Sequence, residues 1–437
     1  MFGTSGVRGT VGREVTAALA LAVGRAVASD GASRVVVGRD PRASGEMLVD
    51  ALSAGLRECG TDVVALGTVS TPTVARSVEW EGADAGVAVT ASHNPPEDNG
   101  LKLWTPSGQA FDEARRAEIT RRVREEAFDL RAWDELGTIE GVADATERHA
   151  DVLVRAADAP LDLSVVVDVG NGAGQVTAEV LAELGCTVRA LNAQPDGSFP
   201  ARPSEPTAEN CRTLSAFVAE TGADLGIAHD GDADRMRAAT ETGEFVSGDA
   251  LLALFGRDAA GEGDRIAVPV DTSLAVDDEL ASVGATVTRT PVGDVYVAEE
   301  AAKSDVVFGG EPSGAWIWPD ETLCPDGPLA AVRLASLVAE RGPLSALVDE
   351  LAVYPILRES VELADKESVM ERVSERVRAE YADVSTVDGV RTDLGDAWFL
   401  LRASGTQPLV RVTAEARDET RAREVFDAAR AIVADAS

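Results

Sequence analysis

The sequence predicts an α/β protein with three related α/β/α domains of mixed sheets and a smaller C-terminal α+β domain, arranged around a central cleft. The first observation is length, because 437 residues are too many for one compact core. The second is a hydrophobic content of 45%, which is ordinary for a folded chain. The third is a pattern that occurs three times: an apolar run, a helix-like stretch and a second β-rich run. This order is typical of βαβ units with parallel strands.

The repeated pattern can be followed along the chain. The three apolar runs have the composition of buried parallel strands and cover residues 34–39, 163–168 and 265–271. The helix-like stretches that follow them cover residues 45–59, 175–184 and 274–283. A glycine after each stretch predicts its C-cap, and these glycines are Gly60, Gly185 and Gly284.

Each of the three segments later supplies one more short strand that leads into a polar loop. These strands are predicted at residues 85–89, 224–228 and 305–308. Ligands of open parallel sheets collect beyond the carboxyl ends of the strands. We therefore expect one loop from each domain to converge on a shared cleft.

The last part of the chain has a different pattern. A charged helix is predicted at residues 366–381 and a final helix at residues 419–434. Between them, residues 398–411 have the pattern of a strand, a glycine loop and a second strand. The predicted domains comprise residues 1–150, 151–256, 257–355 and 356–437.

The chain is strongly acidic, with a formal net charge of -35. Nucleic acid and anionic membranes would be repelled, so neither is expected as a partner. Lysine is scarce, because only Lys102, Lys303 and Lys366 occur and the other basic residues are arginine. Acidic excess with so little lysine indicates a halophilic cytosol, where salt screens the self-repulsion.

The cysteines and the apolar runs indicate a cytoplasmic protein. The four cysteines form no C-x-x-C pair, so we expect isolated thiols in a reducing compartment. The first residues lack the charged and apolar regions of a signal peptide. No apolar run has the length needed to span a bilayer.

A candidate nucleophile lies in the segment Thr-Ala-Ser-His-Asn-Pro-Pro, at residues 90–96. A serine on a tight loop such as Ser92 can act as nucleophile or carry a phosphoryl group. Lys102 follows closely and can serve as acid or base for a sugar hydroxyl if its pKa is lowered. The alternative is an ordinary turn, because Asn94 followed by proline favours turn initiation.

Three carboxylates, those of Asp230, Asp232 and Asp234, follow another apolar run at alternate positions. Alternate side chains of an extended chain point the same way, so all three can meet one hard cation such as Mg²⁺. The spacing also resembles a calcium-binding loop, but Arg235 stands where that loop requires glycine. A solvated acidic turn is a further alternative. With Ser92, the aspartates predict Mg²⁺-assisted phosphoryl transfer.

Two further loops have the composition of ligand-binding loops. Residues 402–411 combine small residues with arginines, which suits a phosphate held by backbone N–H groups and guanidinium forks. Arg8 lies in another glycine-rich segment and is a second possible phosphate contact. Glu311 and Ser313 offer an acceptor and a donor for sugar hydroxyls on a glycine-rich loop. An ordinary turn remains the alternative for each loop.

Two of the three histidines are assigned structural or surface positions. His149 lies in a charged, helix-like stretch and is expected to face solvent. His229 adjoins the three aspartates but would point to the opposite side, so we expect it to be structural.

Five motifs, in chain order, resemble those of the α-D-phosphohexomutase family over essentially the whole chain. They are FGTSGVRG, TASHNPPEDNGLK, DGDADR, GGEPSG and RASGTQPLVRV. The resemblance implies that Ser92 is a phosphoserine and that Mg²⁺ is bound by its phosphate and by Asp230, Asp232 and Asp234. It implies that catalysis and substrate binding use Lys102, Arg8, His93, Arg235, Glu311, Ser313, Arg402, Ser404, Gly405, Thr406 and Arg411.

The resemblance also implies a reaction and a small-molecule hexose phosphate as partner. The phosphoserine would give its phosphoryl group to one sugar hydroxyl, forming a hexose bisphosphate, and would receive the other phosphate after the sugar turns over. Within the family, the start of the chain and Pro312 favour interconversion of glucosamine 6-phosphate and glucosamine 1-phosphate. Mannose or glucose phosphates are the alternative substrates, and a phosphatase or a non-catalytic binder is less favoured. The oligomeric state stays open between monomer and homodimer.

The chain departs from the common family pattern at three positions. Ala233 stands where glycine is commoner, Ala315 where many members have histidine, and Gln407 where glutamate is common. None of these changes removes a metal ligand or the nucleophile, so activity is expected.

Overall fold

The computed structural model describes residues 3, 6–157, 160–363, 365–404 and 408–437. Residues 1–248 with 313–348 form one compact unit, and residues 249–312 with 349–437 form a second. Among the described residues, no helix combines the length and the apolar character that crossing a membrane requires.

Strands and helices alternate through most of the chain. The strands are β1 (Val7–Thr10), β2 (Arg34–Arg39), β3 (Asp62–Thr68), β4 (Ala85–Val89), β5 (Asp98–Trp104), β6 (Ile139–Gly141), β7 (Ser164–Asp168), β8 (Thr187–Leu191), β9 (Leu225–His229), β10 (Met236–Thr240), β11 (Arg265–Pro269), β12 (Thr286–Thr290), β13 (Val306–Gly310), β14 (Trp316–Ile317), β15 (Ile356–Glu362), β16 (Val384–Ser385), β17 (Val390–Asp393), β18 (Ala397–Ala403) and β19 (Leu409–Ala416). The helices are α1 (Ala17–Ser29), α2 (Gly45–Glu58), α3 (Thr71–Trp80), α4 (Glu113–Glu125), α5 (Ala145–Arg155), α6 (Gln175–Glu183), α7 (Arg212–Thr221), α8 (Gly248–Ala259), α9 (Leu274–Ser282), α10 (Asp294–Ala301), α11 (Gly327–Arg341), α12 (Leu344–Asp349), α13 (Lys366–Glu380) and α14 (Glu419–Ala436).

The first unit contains two mixed sheets. One has the strand order β1-β5-β4-β2-β3-β6, with β2 parallel to β3 and β4, and with β5 antiparallel to β1 and β4. The other has the order β10-β9-β7-β8, with β7 parallel to β8 and β9 and with β10 antiparallel to β9. The central strands are buried on both faces, because helices cover a parallel sheet from both sides.

The second unit contains a parallel and an antiparallel sheet. Strands β12, β11 and β13 lie side by side in parallel. The C-terminal sheet has the order β15-β19-β18-β17-β16, and its four strand pairs are antiparallel. Helices α13 and α14 pack their apolar faces against this sheet, with Val373 and Ile432 in the shared core.

The predicted elements agree closely with the observed ones. Helices α2, α6 and α9 begin at the predicted residues and end one residue earlier than predicted. The glycines that follow them have positive φ angles of 87° at Gly60, 94° at Gly185 and 77° at Gly284. Glycine tolerates this conformation without a steric penalty, so the predicted helix ends are confirmed.

The predicted position of His149 is wrong, because its side chain is completely buried. Helix α5 buries Ala145, His149 and Leu153, which are spaced four residues apart and form one face. His149 Nδ1 lies 2.8 Å from Thr73 Oγ1, and its Nε2 lies 3.1 Å from Asp326 Oδ2. The many charged residues of α5 suggested an exposed helix, but both ring nitrogens of His149 have hydrogen-bond partners inside the first unit.

His149 connects the first turns of two helices. The Ser70 hydroxyl caps α3 and is 2.7 Å from the Thr73 hydroxyl, which His149 contacts. Asp326 caps α11 by accepting from the Leu329 N–H, and it also accepts a hydrogen bond from Arg76 Nε at 2.9 Å. The network is therefore fully buried and satisfies several groups at once.

We expect His149→Ala to lower the free energy of unfolding by about 2–4 kcal/mol, because it removes two buried hydrogen bonds and leaves a cavity where the imidazole was packed. Urea unfolding followed by circular dichroism measures the change. Arg212→Ala is the control, because Arg212 lies on the surface and its loss should cost no more than about 0.5 kcal/mol. Equal effects of the two substitutions would contradict the role of the network.

Acid should weaken the same network. Burial favours a raised pKa for Asp326, but His149 and Arg76 outweigh burial and hold the pKa below its ordinary value of 3.8. A carboxyl with a lowered pKa in the folded state contributes stability above its unfolded pKa and loses it as the pH falls. We expect Asp326→Asn to be less stable than the wild type at neutral pH, with a difference that shrinks as the pH falls below about 4. Urea midpoints measured across this pH range test the expectation, and a constant difference would refute it.

Candidate active site

Ser92 lies on a tight turn beyond the carboxyl end of β4. All five residues of β4 are buried, so the strand holds the start of the turn in the core. The Ser92 N–H donates to Thr90 Oγ1 at 2.9 Å, and the Asn94 N–H donates to the Ala91 carbonyl at 3.0 Å. Ser92 has a φ of 51°, a left-handed conformation that is uncommon for a residue other than glycine. Strained backbone of this kind persists where its surroundings fix it and is frequent at functional sites.

The three aspartates lie beyond the carboxyl end of β9. Their side chains are buried, and one ligand atom from each of Asp230, Asp232 and Asp234 lies within 4.8 Å of the others. The expected extended chain is wrong, because β9 ends at His229 and the aspartates lie on a turn. Ala233 in this turn has a φ of 56°. The carboxylates therefore converge because the backbone turns, and not because of strand alternation.

The serine and the aspartates are brought into direct contact. Ser92 Oγ donates to Asp230 Oδ2 at 2.5 Å. On the far side of the cluster, Lys102 Nζ lies 2.8 Å from Asp232 Oδ2 and also pairs with Asp234. Lys102 lies on β5, so a strand of the first sheet carries the cation that faces the loop of the second. The predicted proximity of Ser92, Lys102 and the carboxylates is thus present within the first unit.

The buried carboxylates influence one another. Burial and the neighbouring Asp234 and Asp232 raise the pKa of Asp230 well above its ordinary value. Burial acts in the same direction on Asp232, but Lys102 and the Thr71 hydroxyl outweigh it and lower the pKa of Asp232. Asp232 Oδ1 is buried and has no hydrogen-bond partner among the described residues. A cluster of this charge and geometry fits a divalent cation with oxygen ligands.

His93 follows the serine and lies next to several cations. Its Nδ1 is 3.3 Å from Ser92 Oγ. Burial, Arg235, Arg8 and Lys102 lower the pKa of His93 to about 2, so the imidazole is neutral near neutral pH.

The two arginines of the predicted site in the first unit lie near the aspartates. Arg8 lies on β1 opposite Gly100 of β5, and its charge contributes to the low pKa of Asp232. Its Nε is buried without a hydrogen-bond partner among the described residues. The Arg235 N–H donates to Asp230 Oδ1 at 3.2 Å. Its backbone also bridges to Ala315, the position where many family members have histidine.

Thr71 is a site residue that the sequence did not indicate. Its hydroxyl donates to Asp232 Oδ2 at 2.6 Å, and its N–H donates to the Asp232 carbonyl at 2.9 Å. Thr71 is the first residue of α3, so the positive end of a helix dipole faces Asp232. Ser70 and Pro72 are signals of a helix start, but no local signal reveals a contact between residues 161 positions apart.

The glycine-rich loop at residues 309–314, which we call the sugar loop, contains the point in the sequence where the second unit ends and the first resumes. Glu311 belongs to the second unit, is buried and accepts a hydrogen bond from the Gly293 N–H at 2.7 Å. Ser313 belongs to the first unit and is half-buried.

The predicted phosphate loop connects β18 and β19 in the second unit. Arg402 and Arg411 occupy directly opposed positions on these strands. Arg402 Nη1 is paired with Asp388 Oδ2 at 2.9 Å, and a bound anion would further offset the repulsion between the two arginines. Ser404 is buried, and its carbonyl accepts a hydrogen bond from Lys366 Nζ at 2.5 Å. The other predicted contacts, Gly405 and Thr406, lie outside the described residues, as does the departure at Gln407.

Comparison with known proteins places the whole chain in one family. Four models of phosphoglucomutase/phosphomannomutase domains match in order: α/β/α domains I, II and III at residues 1–130, 143–243 and 247–354, and the C-terminal domain at residues 360–432. The chain therefore belongs to the phosphoglucomutase/phosphomannomutase family, a group of phosphohexomutases. The resemblance stated from its motifs, the fold class and the prediction of an isomerase are confirmed. The domain boundaries at residues 150, 256 and 355 stay a prediction.

Individual relatives give the same result. A probable phosphoglucosamine mutase of Methanopyrus kandleri is 47% identical over 98% of this chain and 96% of its own length. One from Methanococcoides burtonii is 47% identical over 96% of this chain and 95% of its own length. A phosphoglucomutase/phosphomannomutase family protein from Burkholderia thailandensis has a similar structure, with a TM-score of 0.88 and 28% identity over 100% of this chain and 98% of its own.

The alanine at position 233 can be tested by substitution with glycine. Glycine would relieve a left-handed penalty of about 1–2 kcal/mol. It would also remove a buried methyl group worth about 0.8 kcal/mol. In addition, glycine loses more backbone entropy on folding than alanine does, which costs about 0.5–1 kcal/mol. Because these effects offset each other, we expect Ala233→Gly to change the free energy of unfolding by less than about 1 kcal/mol.

Valine at the same position is the matched comparison. A β-branched side chain is strongly disfavoured at positive φ, so we expect Ala233→Val to cost more than about 2 kcal/mol. Urea unfolding of both variants measures the two changes. A valine variant as stable as the glycine variant would show that the turn relaxes.

Proposed function

We propose that the protein interconverts glucosamine 6-phosphate and glucosamine 1-phosphate through a phosphoserine at Ser92. The observation that carries the proposal is the 2.5 Å contact of Ser92 Oγ with Asp230 in a buried carboxylate cluster that Lys102 closes on its other side. A hydroxyl that receives and returns an anionic phosphoryl group needs cations beside it, and Lys102 together with a metal ion held by the carboxylates would supply them.

The aspartate cluster suits Mg²⁺. Asp230, Asp232 and Asp234 offer oxygen ligands within 4.8 Å of one another, and Asp232 Oδ1 has no hydrogen-bond partner among the described residues. Burial and the neighbouring Asp234 and Asp232 raise the pKa of Asp230, and a divalent ion would offset this crowding of negative charge. A Mg²⁺ ion bound there supplies neutralisation of the charge on the transferring phosphoryl group.

The reaction consists of two opposite transfers. In the first, the bond between phosphorus and Ser92 Oγ breaks and a bond to one sugar hydroxyl oxygen forms, while that hydroxyl loses its proton and Ser92 Oγ takes one up. The resulting hexose bisphosphate turns over within the site. In the second, the other phosphate moves to Ser92 Oγ, which loses its proton, and the sugar oxygen that the phosphate leaves takes one up. Each transfer therefore releases one proton and takes up one. The bisphosphate also serves as activator of an unphosphorylated enzyme.

Lys102 is the group that we assign to proton exchange with the sugar oxygens. Burial and nearby cations lower the pKa of His93 to about 2, so its imidazole is a weak base. His93 instead orients Ser92 Oγ through its 3.3 Å contact. Arg8 contacts the transferring phosphoryl group. The residue is half-buried, and its Nε has no hydrogen-bond partner among the described residues.

The other substrate groups are assigned to the remaining loops. Arg402 and Arg411 hold the phosphate that does not react, together with Ser404, Gly405 and Thr406. Glu311 and Ser313 bind sugar hydroxyls or the amino group, and Arg235 supports the substrate beside the aspartates. These assignments rest on the opposed arginines, on the buried Glu311 carboxylate and on the family motifs.

Glucosamine phosphate is the substrate that the comparisons favour. Archaeal relatives named probable phosphoglucosamine mutases are 47% identical to the chain over nearly its full length. The amino group of glucosamine is cationic near neutral pH and suits a carboxylate such as that of Glu311.

Turnover in high salt with Mg²⁺ should be measured on glucosamine, mannose and glucose phosphates. We expect kcat/KM for glucosamine 6-phosphate to exceed the others by more than about tenfold, or about 1.4 kcal/mol of discrimination. A preference for mannose or glucose phosphate would keep the chemistry and overturn the substrate assignment.

Ser92→Ala tests the chemistry itself and should abolish mutase turnover. Ser198→Ala is the matched control, because Ser198 is exposed and, among the described residues, hydrogen-bonds only to Asp196 of its own turn. Full turnover in Ser92→Ala would refute the phosphoserine mechanism. Steady release of inorganic phosphate without isomerisation would identify a phosphatase.

A further inference from the structure

Arg42 is completely buried, and all of its guanidinium nitrogens are engaged. Its Nε donates to Asp40 Oδ2 at 3.0 Å, which accounts for one of its five N–H groups. The remaining four donate to backbone carbonyls of the serine turn, which are those of Ser92 at 2.8 Å, Asn94 at 2.6 Å, Pro95 at 2.5 Å and Asp98 at 2.8 Å. The Arg42 side chain therefore fixes four backbone carbonyls between residues 92 and 98 at once.

Arg202 plays an equivalent part next to the turn that carries Asp230, Asp232 and Asp234, which we call the metal loop. Its side chain is buried, and its Nε donates to Asp168 Oδ2 at 2.7 Å. Its Nη2 donates to the His229 carbonyl at 2.7 Å, directly before the first aspartate. Asp40 follows β2 and Asp168 ends β7, so each of the two sheets of the first unit carries one buried Asp–Arg pair at the carboxyl edge of its strands.

Ser204 connects the two arginines. Its hydroxyl donates to the Ser92 carbonyl at 2.8 Å, the same oxygen that accepts from Arg42 Nη2. Its own carbonyl accepts from Arg202 Nη1 at 3.3 Å. A continuous set of hydrogen bonds thus runs from Arg42 through the Ser92 carbonyl and Ser204 to Arg202.

The packing leaves little room for another arrangement. A Cβ atom at Gly231 would lie 2.7 Å from Ser204 Oγ and 2.8 Å from the Ser92 carbonyl oxygen. The metal loop is therefore in close contact with the same two groups. The Phe199 ring covers the guanidinium of Arg42, with 4.9 Å between the ring centroid and Cζ.

We propose that Arg42, Ser204 and Arg202 are positioning residues that fix Ser92 Oγ against the aspartate cluster, with Ser204 as the link between the two loops. The inference rests on the proposed phosphoserine function. A left-handed serine at φ 51° requires its backbone to be held, and the Ser92 carbonyl accepts hydrogen bonds from both Arg42 Nη2 and Ser204 Oγ. Small displacements of a nucleophile cost large factors in rate, so loss of the link reduces transfer more than substrate binding.

Ser204→Ala is the principal test, because it removes one hydroxyl and no charge. With the hexose phosphate that the wild type turns over best, we expect kcat to fall about tenfold with an unchanged KM. Phosphorylation of Ser92 by glucose 1,6-bisphosphate in a single turnover should slow by the same factor. Ser198→Ala is the control in the same segment, because the Ser198 hydroxyl, among the described residues, hydrogen-bonds only to Asp196 of its own turn.

Arg42→Lys provides a second variant, since lysine keeps the charge but cannot serve four carbonyls at once. Both substitutions act on the Ser92 carbonyl, so the double variant should lose less than the product of the two single losses. All rates refer to the folded fraction, determined by circular dichroism.

The outcomes separate the inference from the proposed function. A Ser204→Ala enzyme with the same kcat as Ser198→Ala overturns the inference. A lower kcat that is accompanied by a change in KM and by a lower free energy of unfolding overturns it as well, because it indicates a general structural effect. Activity retained in Ser92→Ala refutes the proposed function instead, whatever Ser204→Ala shows.

Discussion

The burial of three carboxylates at one point is the constraint on which the rest of the site depends. Asp230, Asp232 and Asp234 have little or no contact with solvent, and charges without water must be compensated by neighbouring groups. Lys102 supplies a cation and Thr71 supplies a hydroxyl and a helix N-terminus. Burial and the remaining excess of negative charge raise the pKa of Asp230, the carboxyl that contacts Ser92. A divalent cation would offset the imbalance that destabilises an isolated cluster, and Ser92 Oγ lies within hydrogen-bond distance of the same carboxylates.

Both functional loops reach this point through left-handed residues. Ser92 and Ala233 have φ angles of 51° and 56°, and neither is a glycine. Each conformation costs free energy, which contacts elsewhere must offset. The turn at Ser92 is held by the carbonyl contacts of Arg42. The turn at Ala233 is held by helix N-termini, because its carbonyl accepts from the Gly327 N–H and that of Asp232 from the Thr71 N–H. Rigid helices and buried arginines thereby set the distance between nucleophile and carboxylates.

The sequence allowed the elements to be predicted much better than their contacts. Hydrophobic periodicity and the glycine caps are local signals, so α2, α6 and α9 were located within one residue. The motifs indicated Ser92 and the aspartates, but the assumed extended geometry was wrong because a turn is not visible in alternate spacing. His149 was misplaced because its burial depends on Thr73 and Asp326, far away in sequence. Thr71, Arg42 and Ser204 were missed for the same reason, since only tertiary packing gives them partners.

The distribution of lysine follows from the chemistry of these contacts. Only three lysines occur among 40 basic residues, so arginine serves wherever a planar fork is suitable. Lys303 forms an exposed pair with Glu300, but Lys102 and Lys366 support functional loops. Lys102 contacts two carboxylates at the centre of the cluster, where a compact ammonium fits and a guanidinium fork would need more room. Lys366 donates to the Ser404 carbonyl at the base of the phosphate loop. Lys102, which is buried, and Lys366, which is half-buried, therefore each provide a compact positive charge to a specific contact, whereas an exposed lysine mainly increases solubility.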